Sequence, residues 1–248
     1  MTGWNDLVPP ARAKTVHGVS IGIMMLDTGF QRIDGDIGYA PTWNFPVHYK
    51  IVRGAVGERV LASDGGGTLD LFVAAANELA DMGVDGIVTS CGFLARFQKE
   101  LTNRCAVPVA TSSLLQIPMV QALLPKGRRV GVLTADKAAL TADHFEAVNC
   151  PIDVPVVGMP VGGVFKTDFR KPSLVVDRAR QEQEVMNMAA SLIRDYSGIG
   201  AIVCECTNLA PYSAKIASTF GMPVFDVVTL VNWFHGGLCP RRFGTNPN

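Results

Sequence analysis

Apolar residues in this chain gather into short unbroken runs, and these alternate with stretches of helical spacing. Val19–Leu26, Gly86–Thr89, Arg129–Thr134 and Ala201–Cys204 are runs of strand length. Leu69–Met82 and Gln181–Tyr196 are longer and amphipathic. The second of them sets Val185, Met188, Ala189 and Leu192 on one helical face. Phe93–Leu101 and Pro211–Phe220 predict two further helices. Strands without polar alternation are buried on both faces, so their alternation with helices predicts an α/β protein with parallel sheets.

The pattern occurs twice. Ile87-Val88-Thr89-Ser90-Cys91 matches Ile202-Val203-Cys204-Glu205-Cys206, both reading Ile-Val-x-x-Cys. The same offset carries Gly83 onto Gly198 and Pro108-Val109 onto Pro223-Val224, so Pro-Val follows each cysteine by seventeen positions. Ile21-Gly22-Ile23-Met24 resembles Val130-Gly131-Val132-Leu133 at a slightly different offset, a length change that loops absorb. The expected architecture is therefore two pseudo-symmetric, open parallel-sheet (flavodoxin-like) domains. Residues 1–118 form the half that carries Cys91, and residues 119–225 the half that carries Cys206. Residues 226–248 pack back on the first half. Ligands of such sheets bind beyond the carboxyl ends of the strands, so both thiols are expected to face a cleft between the halves.

Two like groups across a cleft suit the inversion of a carbon centre, where one removes a proton and the other delivers one. A free thiol titrates at about 8.5, near operating pH. A helix start beside it is expected to lower that value further. A single cysteine is more simply a small buried hydrophobe, but two at duplicated positions favour catalysis. Cys204 reads as core, and Cys105, Cys150 and Cys239 as structural or surface thiols.

Composition narrows the remaining classes. The chain has 248 residues, 48% of them hydrophobic, with 22 basic and 22 acidic side chains. A net charge of zero gives no field for nucleic acid or an anionic membrane. The apolar runs, such as Gly200–Cys206, are strand-sized, so no membrane span is expected. The segment from Met1 to Lys14 lacks the apolar core of a signal peptide, and a cytoplasmic protein with reduced thiols is expected. The six cysteines and four histidines include no CxxC pair and no histidine cluster, so no metal site is expected.

The segments around the two cysteines carry a resemblance. Cys206-Thr207-Asn208-Leu209 is similar to the Cys-Thr motif at the second catalytic cysteine of the aspartate/glutamate/hydantoin racemase superfamily, and Ile-Val-Thr-Ser-Cys91-Gly resembles its first. In element order the likeness runs from about Val19 to Trp233. It implies a racemase or isomerase with Cys91 and Cys206 as acid and base, no cofactor, a small carboxylate or amino-acid-like substrate, and a homo-oligomer. Hydantoin racemase and maleate isomerase-like chemistry are alternatives inside the superfamily, and a non-catalytic small-ligand-binding protein is the alternative outside it. Arylmalonate-type decarboxylases rely on the second cysteine, so the presence of Cys91 argues against that reaction. Amino-acid racemases usually place Asn-Thr after the first cysteine, where this chain has Gly92-Phe93. Glutamate racemases usually place His two positions after the second cysteine, where it has Asn208. Their Asp-Ser-Gly is echoed by Asp27-Thr28-Gly29.

Other site candidates follow from placement. Thr207 and Asn208 begin the helix after Cys206, where they can bind an anionic substrate or cap the helix. Gly92 and Phe93 follow Cys91. Thr89, Ser90, Thr111 and Ser112 end neighbouring strands and are candidates to line the cleft. Residues 29–50 have no clear period and read as a binding loop or lid, with Arg32 or Lys50 available for a carboxylate. Asp27 precedes that loop and can orient a thiol, bind an ammonium group or cap a turn. Gly65-Gly66-Gly67-Thr68 lacks the Lys-Ser/Thr signature of a phosphate loop and reads as a turn with a helix cap.

Overall fold

The computed structural model describes residues 17–62, 67–151, 153–170 and 175–240. The segment from Met1 to Lys14, and Gly65 and Gly66, lie outside the described residues. The first half holds β1 (Ile21–Leu26), β2 (Val47–Val52), α1 (Gly57–Leu61), α2 (Leu69–Met82), β3 (Gly86–Thr89), α3 (Gln98–Arg104), β4 (Val109–Ala110) and α4 (Ile117–Leu123). The second holds β5 (Arg129–Thr134), α5 (Ala142–Ala147), β6 (Val156–Gly158), α6 (Val164–Arg170), α7 (Arg178–Asp195), β7 (Ile199–Cys204), α8 (Ser213–Phe220) and β8 (Val224–Phe225). A last helix, α9, spans Val227–Leu238.

Each half builds a four-stranded sheet, ordered β2-β1-β3-β4 in one and β6-β5-β7-β8 in the other, with every pairing parallel. The α/β class and the duplicated parallel sheets expected from periodicity are present. The repeat shows in packing detail as well. An added Cβ at Gly22 would meet Leu79 of α2 at 3.1 Å, and one at Gly131 would meet Leu192 of α7 at 2.6 Å. The matched glycines let a leucine from the helix before each cysteine strand settle onto the central strand beside it. Burying such a leucine contributes about 1.5–3 kcal/mol.

Several elements differ from expectation. β2 begins within residues 29–50, which read as a loop, and runs on to Val52. It is an edge strand whose residues are intermediate or exposed up to the buried Val52, and a half-exposed edge has no apolar run to signal it. Lys50 lies on this strand and pairs with Glu78 of α2, not with the cavity described below. β7 begins at Ile199, two residues before the apolar run. After each cysteine the chain first makes a 3₁₀ turn, Gly92–Phe97 and Thr207–Tyr212, and only then the α-helix.

The two halves share a core. Met24, Ile87 and Leu94 belong to the same buried cluster as Val132, Phe145 and Val203. Polar bonds cross the seam. The Ser113 hydroxyl donates to the Cys204 carbonyl at 2.6 Å, and the Thr207 hydroxyl to the Ser90 carbonyl at 2.8 Å. Helix α9 is capped by Asp226 and Thr229 and lays Val227, Leu230 and Val231 against Ile21, Ile23 and Val88 of the first sheet. His235 on this helix stacks on Phe45 at 3.9 Å.

A buried relay fixes the second 3₁₀ turn. The Tyr212 hydroxyl donates to Gln181 Oε1 at 2.6 Å, and Gln181 Nε2 donates to Asp168 at 2.7 Å. Both Tyr212 and Gln181 are fully buried. Tyr212→Phe leaves the Gln181 oxygen unpaired and is expected to cost about 1–3 kcal/mol in urea unfolding. An unchanged midpoint would mean that the relay contributes nothing to the fold.

Candidate active site

Cys91 and Cys206 end equivalent strand-to-turn junctions. Each is the N-cap residue of its 3₁₀ turn, and each is half-buried in the wall of one cavity of about 800 Å³. The cavity lies at the carboxyl ends of both sheets, between the halves. Asp27, Arg32, Ser90, Gly92, Phe93, Thr207 and Asn208 also line it. Thr89, Thr111 and Ser112 do not. The Thr89 hydroxyl donates to the Thr111 carbonyl at 2.6 Å, the Thr111 hydroxyl donates to Gln98 Oε1 at 2.7 Å, and the Ser112 hydroxyl caps its own turn by accepting from Leu114 N–H at 3.2 Å. Strand-end hydroxyls point either outward or into the backbone, and sequence position alone does not separate the two.

The charged residues of the cavity are held in place. Arg32 bonds Asp36 at 3.0 Å, Thr28 at 3.0 Å and Asn208 at 3.4 Å, and its guanidinium lies over the Phe30 ring at 4.0 Å. Asp27 accepts from Arg53 at 3.0 Å and from Gly54 N–H at 3.1 Å. From the second half come Lys166 and Asp136, paired at 2.9 Å. Burial alone would raise the Asp136 carboxyl, but the Lys166 bond and charge and two backbone N–H groups outweigh it and hold it low. Phe30, Phe165 and Phe169 form an aromatic wall with edge-to-face contacts of 4.5 and 4.6 Å. Lys166, Phe165 and Phe169 sit on α6 and Asp136 on the loop after β5, with no motif around them to signal the site, whereas Phe30 lies in the segment 29–50 that read as a binding loop. Among the described residues, no cluster of three or more His, Cys, Asp or Glu could hold a metal.

Glu205 is the largest omission. It is fully buried between Cys204 and Cys206. Its Oε2 accepts from the Thr134 hydroxyl at 2.7 Å, and its Oε1 has no hydrogen-bond partner among the described residues. Burial pushes its carboxyl up to about 7, against the opposing bonds of Thr134 and Ala135 N–H. A charged residue closing the apolar run Gly200–Cys206 was the available signal. The folded carboxyl takes up a proton more readily than an unfolded one, for which the ordinary value is 4.5. Its burial therefore weighs against the fold increasingly as pH rises from about 4.5 to about 7. Glu205→Gln should remove that slope in urea titrations across the window, and an unchanged slope would contradict this burial.

The thiols depart from expectation. Phe93 and Leu94 N–H groups favour the Cys91 thiolate, and Asn208 N–H favours that of Cys206, as a helix start should. Burial and the neighbouring Glu205 charge outweigh them. Cys91 is pushed up to about 12, and Cys206 well above its ordinary value. Both are neutral thiols at rest.

The fold is shared with solved racemases and with a decarboxylase. Allantoin racemase from Klebsiella pneumoniae superposes with a TM-score of 0.62 at 14% identity, over 89% of this chain and 87% of its own. Aspartate racemase from Picrophilus torridus gives 0.56 at 11% identity, over 92% and 96%. Arylmalonate decarboxylase gives 0.59 at 15% identity, over 92% and 96%. The sequence relatives carry a different name. Dimethylsulfoniopropionate lyase from Durusdinium sp. clade D is 27% identical over 248 residues, which span 96% of this chain and 81% of the lyase. Dimethylsulfoniopropionate lyase 3 from Emiliania huxleyi is 28% identical over 239 residues, which span 92% of this chain and 62% of that protein. No family model matches the chain.

Proposed function

We propose that this protein is a cofactor-independent carbon-acid enzyme that removes the proton next to a substrate carboxylate, and that its reaction is the β-elimination of dimethylsulfoniopropionate. The observation that carries the proposal is the convergence of two matched thiols, Cys91 and Cys206, on one cavity with backbone N–H groups at each. A thiolate takes the α-proton. The C–H electron pair becomes the new C=C bond, the C–S bond breaks, and its pair leaves with sulfur as neutral dimethyl sulfide, giving acrylate. This is the opening step of racemisation followed by loss of a β-leaving group, so a racemase-type site serves it without rebuilding. Arg32 and Lys166, each held by an aspartate, present N–H donors at the cavity wall for the carboxylate. The Phe30, Phe165 and Phe169 wall suits a sulfonium that cannot hydrogen-bond. The names of the sequence relatives favour elimination over other fates of the carbanion.

Racemisation of a small carboxylate or cyclic amide is the second reading. The presence of a thiol on each half favours it, because elimination needs only one base. Headspace detection of dimethyl sulfide from dimethylsulfoniopropionate, run beside proton NMR of amino acids and hydantoins in deuterium oxide, separates the two. Dimethyl sulfide supports elimination. Deuterium at a substrate carbon without dimethyl sulfide transfers the protein to the racemases. Neither signal removes both readings.

A further inference from the structure

Proton removal needs a thiolate, yet both thiols rest protonated, so the thiol proton needs an acceptor. We propose that Glu205 is the proton acceptor that converts a thiol of the Cys91–Cys206 pair into the working thiolate. It is a positioning residue that acts through the sulfur atoms and not on the substrate. The inference rests on reading the two cysteines as the working groups. It does not depend on which carboxylate they act upon.

The geometry is particular to this chain. Glu205 extends from the end of β7 across the seam to the turn that follows Cys91. An added Cβ on Gly92 would stand 2.2 Å from Glu205 Oε1 and 2.1 Å from the Glu205 carbonyl oxygen. The missing side chain at position 92 is thus the space that the carboxyl occupies. Oε2 is anchored by Thr134, while Oε1 is buried with its bonding capacity unused among the described residues. Glu205 lines the same cavity as both thiols, and its charge opposes ionisation of each. The other ionisable groups around it are Cys204 in the strand and Asp136, which Lys166 neutralises. Asp36, which acts on Cys206, is paired with Arg32.

The proton balance is simple. One S–H bond breaks and one O–H bond forms, so a thiol and a carboxylate become a thiolate and a neutral acid. The pair carries a single negative charge throughout. Two adjacent anions in a medium of low polarity would cost far more than moving that charge from oxygen to sulfur. The pair titrates as a unit. Reactive thiolate therefore appears as the first proton leaves the pair, near the carboxyl's own range, and not at the high value of an isolated buried thiol.

The test is the rate of iodoacetamide alkylation at Cys91 and Cys206, read by peptide mass spectrometry from about pH 5 to 9. In the unaltered protein the rate at one or both thiols should rise through a step near 7 and then level off. In Glu205→Gln the step should vanish, leaving a climb of about tenfold per pH unit, as for a lone thiol below its pKa. Thr134→Val removes the bond that stabilises the ionised carboxyl and should move the step to higher pH. A step that persists in Glu205→Gln, or its absence from the unaltered protein, overturns the proposal. If Glu205→Gln does not fold, an unmoved step in Thr134→Val does so. Alkylation needs no substrate, so failure to release dimethyl sulfide leaves this result readable on its own.

Discussion

Cys206→Ser is expected to reduce kcat by about 10²–10⁴-fold, the usual contribution of a positioned acid or base, and Cys91→Ser should fall in the same range if both thiols move protons. Serine keeps the size of the residue and its place at the N-cap, so the fold should survive. What is lost is a group that can hold a proton near neutrality and release it. Both thiols share one cavity and one neighbouring carboxyl, so the double variant should lose little more than the worse single one. Dimethyl sulfide release at saturating substrate provides the measurement, with unfolding midpoints to confirm folding. If Cys206→Ser retains more than about a tenth of the original rate, Cys206 is ruled out as the base. A loss at Cys206 alone would assign the chemistry to one base, which elimination permits and racemisation does not.

Gly92→Ala should damage the protein through a different route. The new methyl would lie 2.1 Å from the Glu205 backbone oxygen and 2.2 Å from Oε1. No rotamer change relieves a clash with backbone, so the turn after Cys91 and the end of β7 must move apart. Overpacking of this kind costs about 1–3 kcal/mol, which lowers Tm by several degrees in a chain of this length. The larger effect should be on turnover. The same displacement separates the Cys91 segment from the Cys206 segment, and misplacement of about 1 Å can cost about 100-fold. Differential scanning calorimetry and the dimethyl sulfide assay together check this. A variant with unchanged Tm and rate would show that the close approach of the two halves at this point serves neither stability nor catalysis.

Much of the site was visible in one dimension. The apolar runs placed β1, β3, β5 and β7, and the duplication placed Cys91 and Cys206 at equivalent ends of β3 and β7, which line one cavity. Asp27, Arg32 and Asn208, chosen for their positions near those ends, line it as well. The neighbouring hydroxyls were chosen on the same grounds, but Thr89 and Thr111 turn inward to backbone and amide partners. Position along a strand does not reveal which hydrogen bond a side chain will find. β2 was hidden for a related reason, since its half-exposed residues carry no apolar period.

The chain by itself determined two like parallel sheets and a cysteine at the same point in each, because burial leaves a period in the sequence and duplication leaves an offset. Only the tertiary structure decided that Glu205 should lie against Gly92 and influence both thiols, and that those thiols rest protonated. That outcome depends on two segments far apart in the chain meeting across a seam, and on water being excluded where they meet. Neither the distance across a seam nor the loss of solvent is encoded in the spacing of residues along a strand.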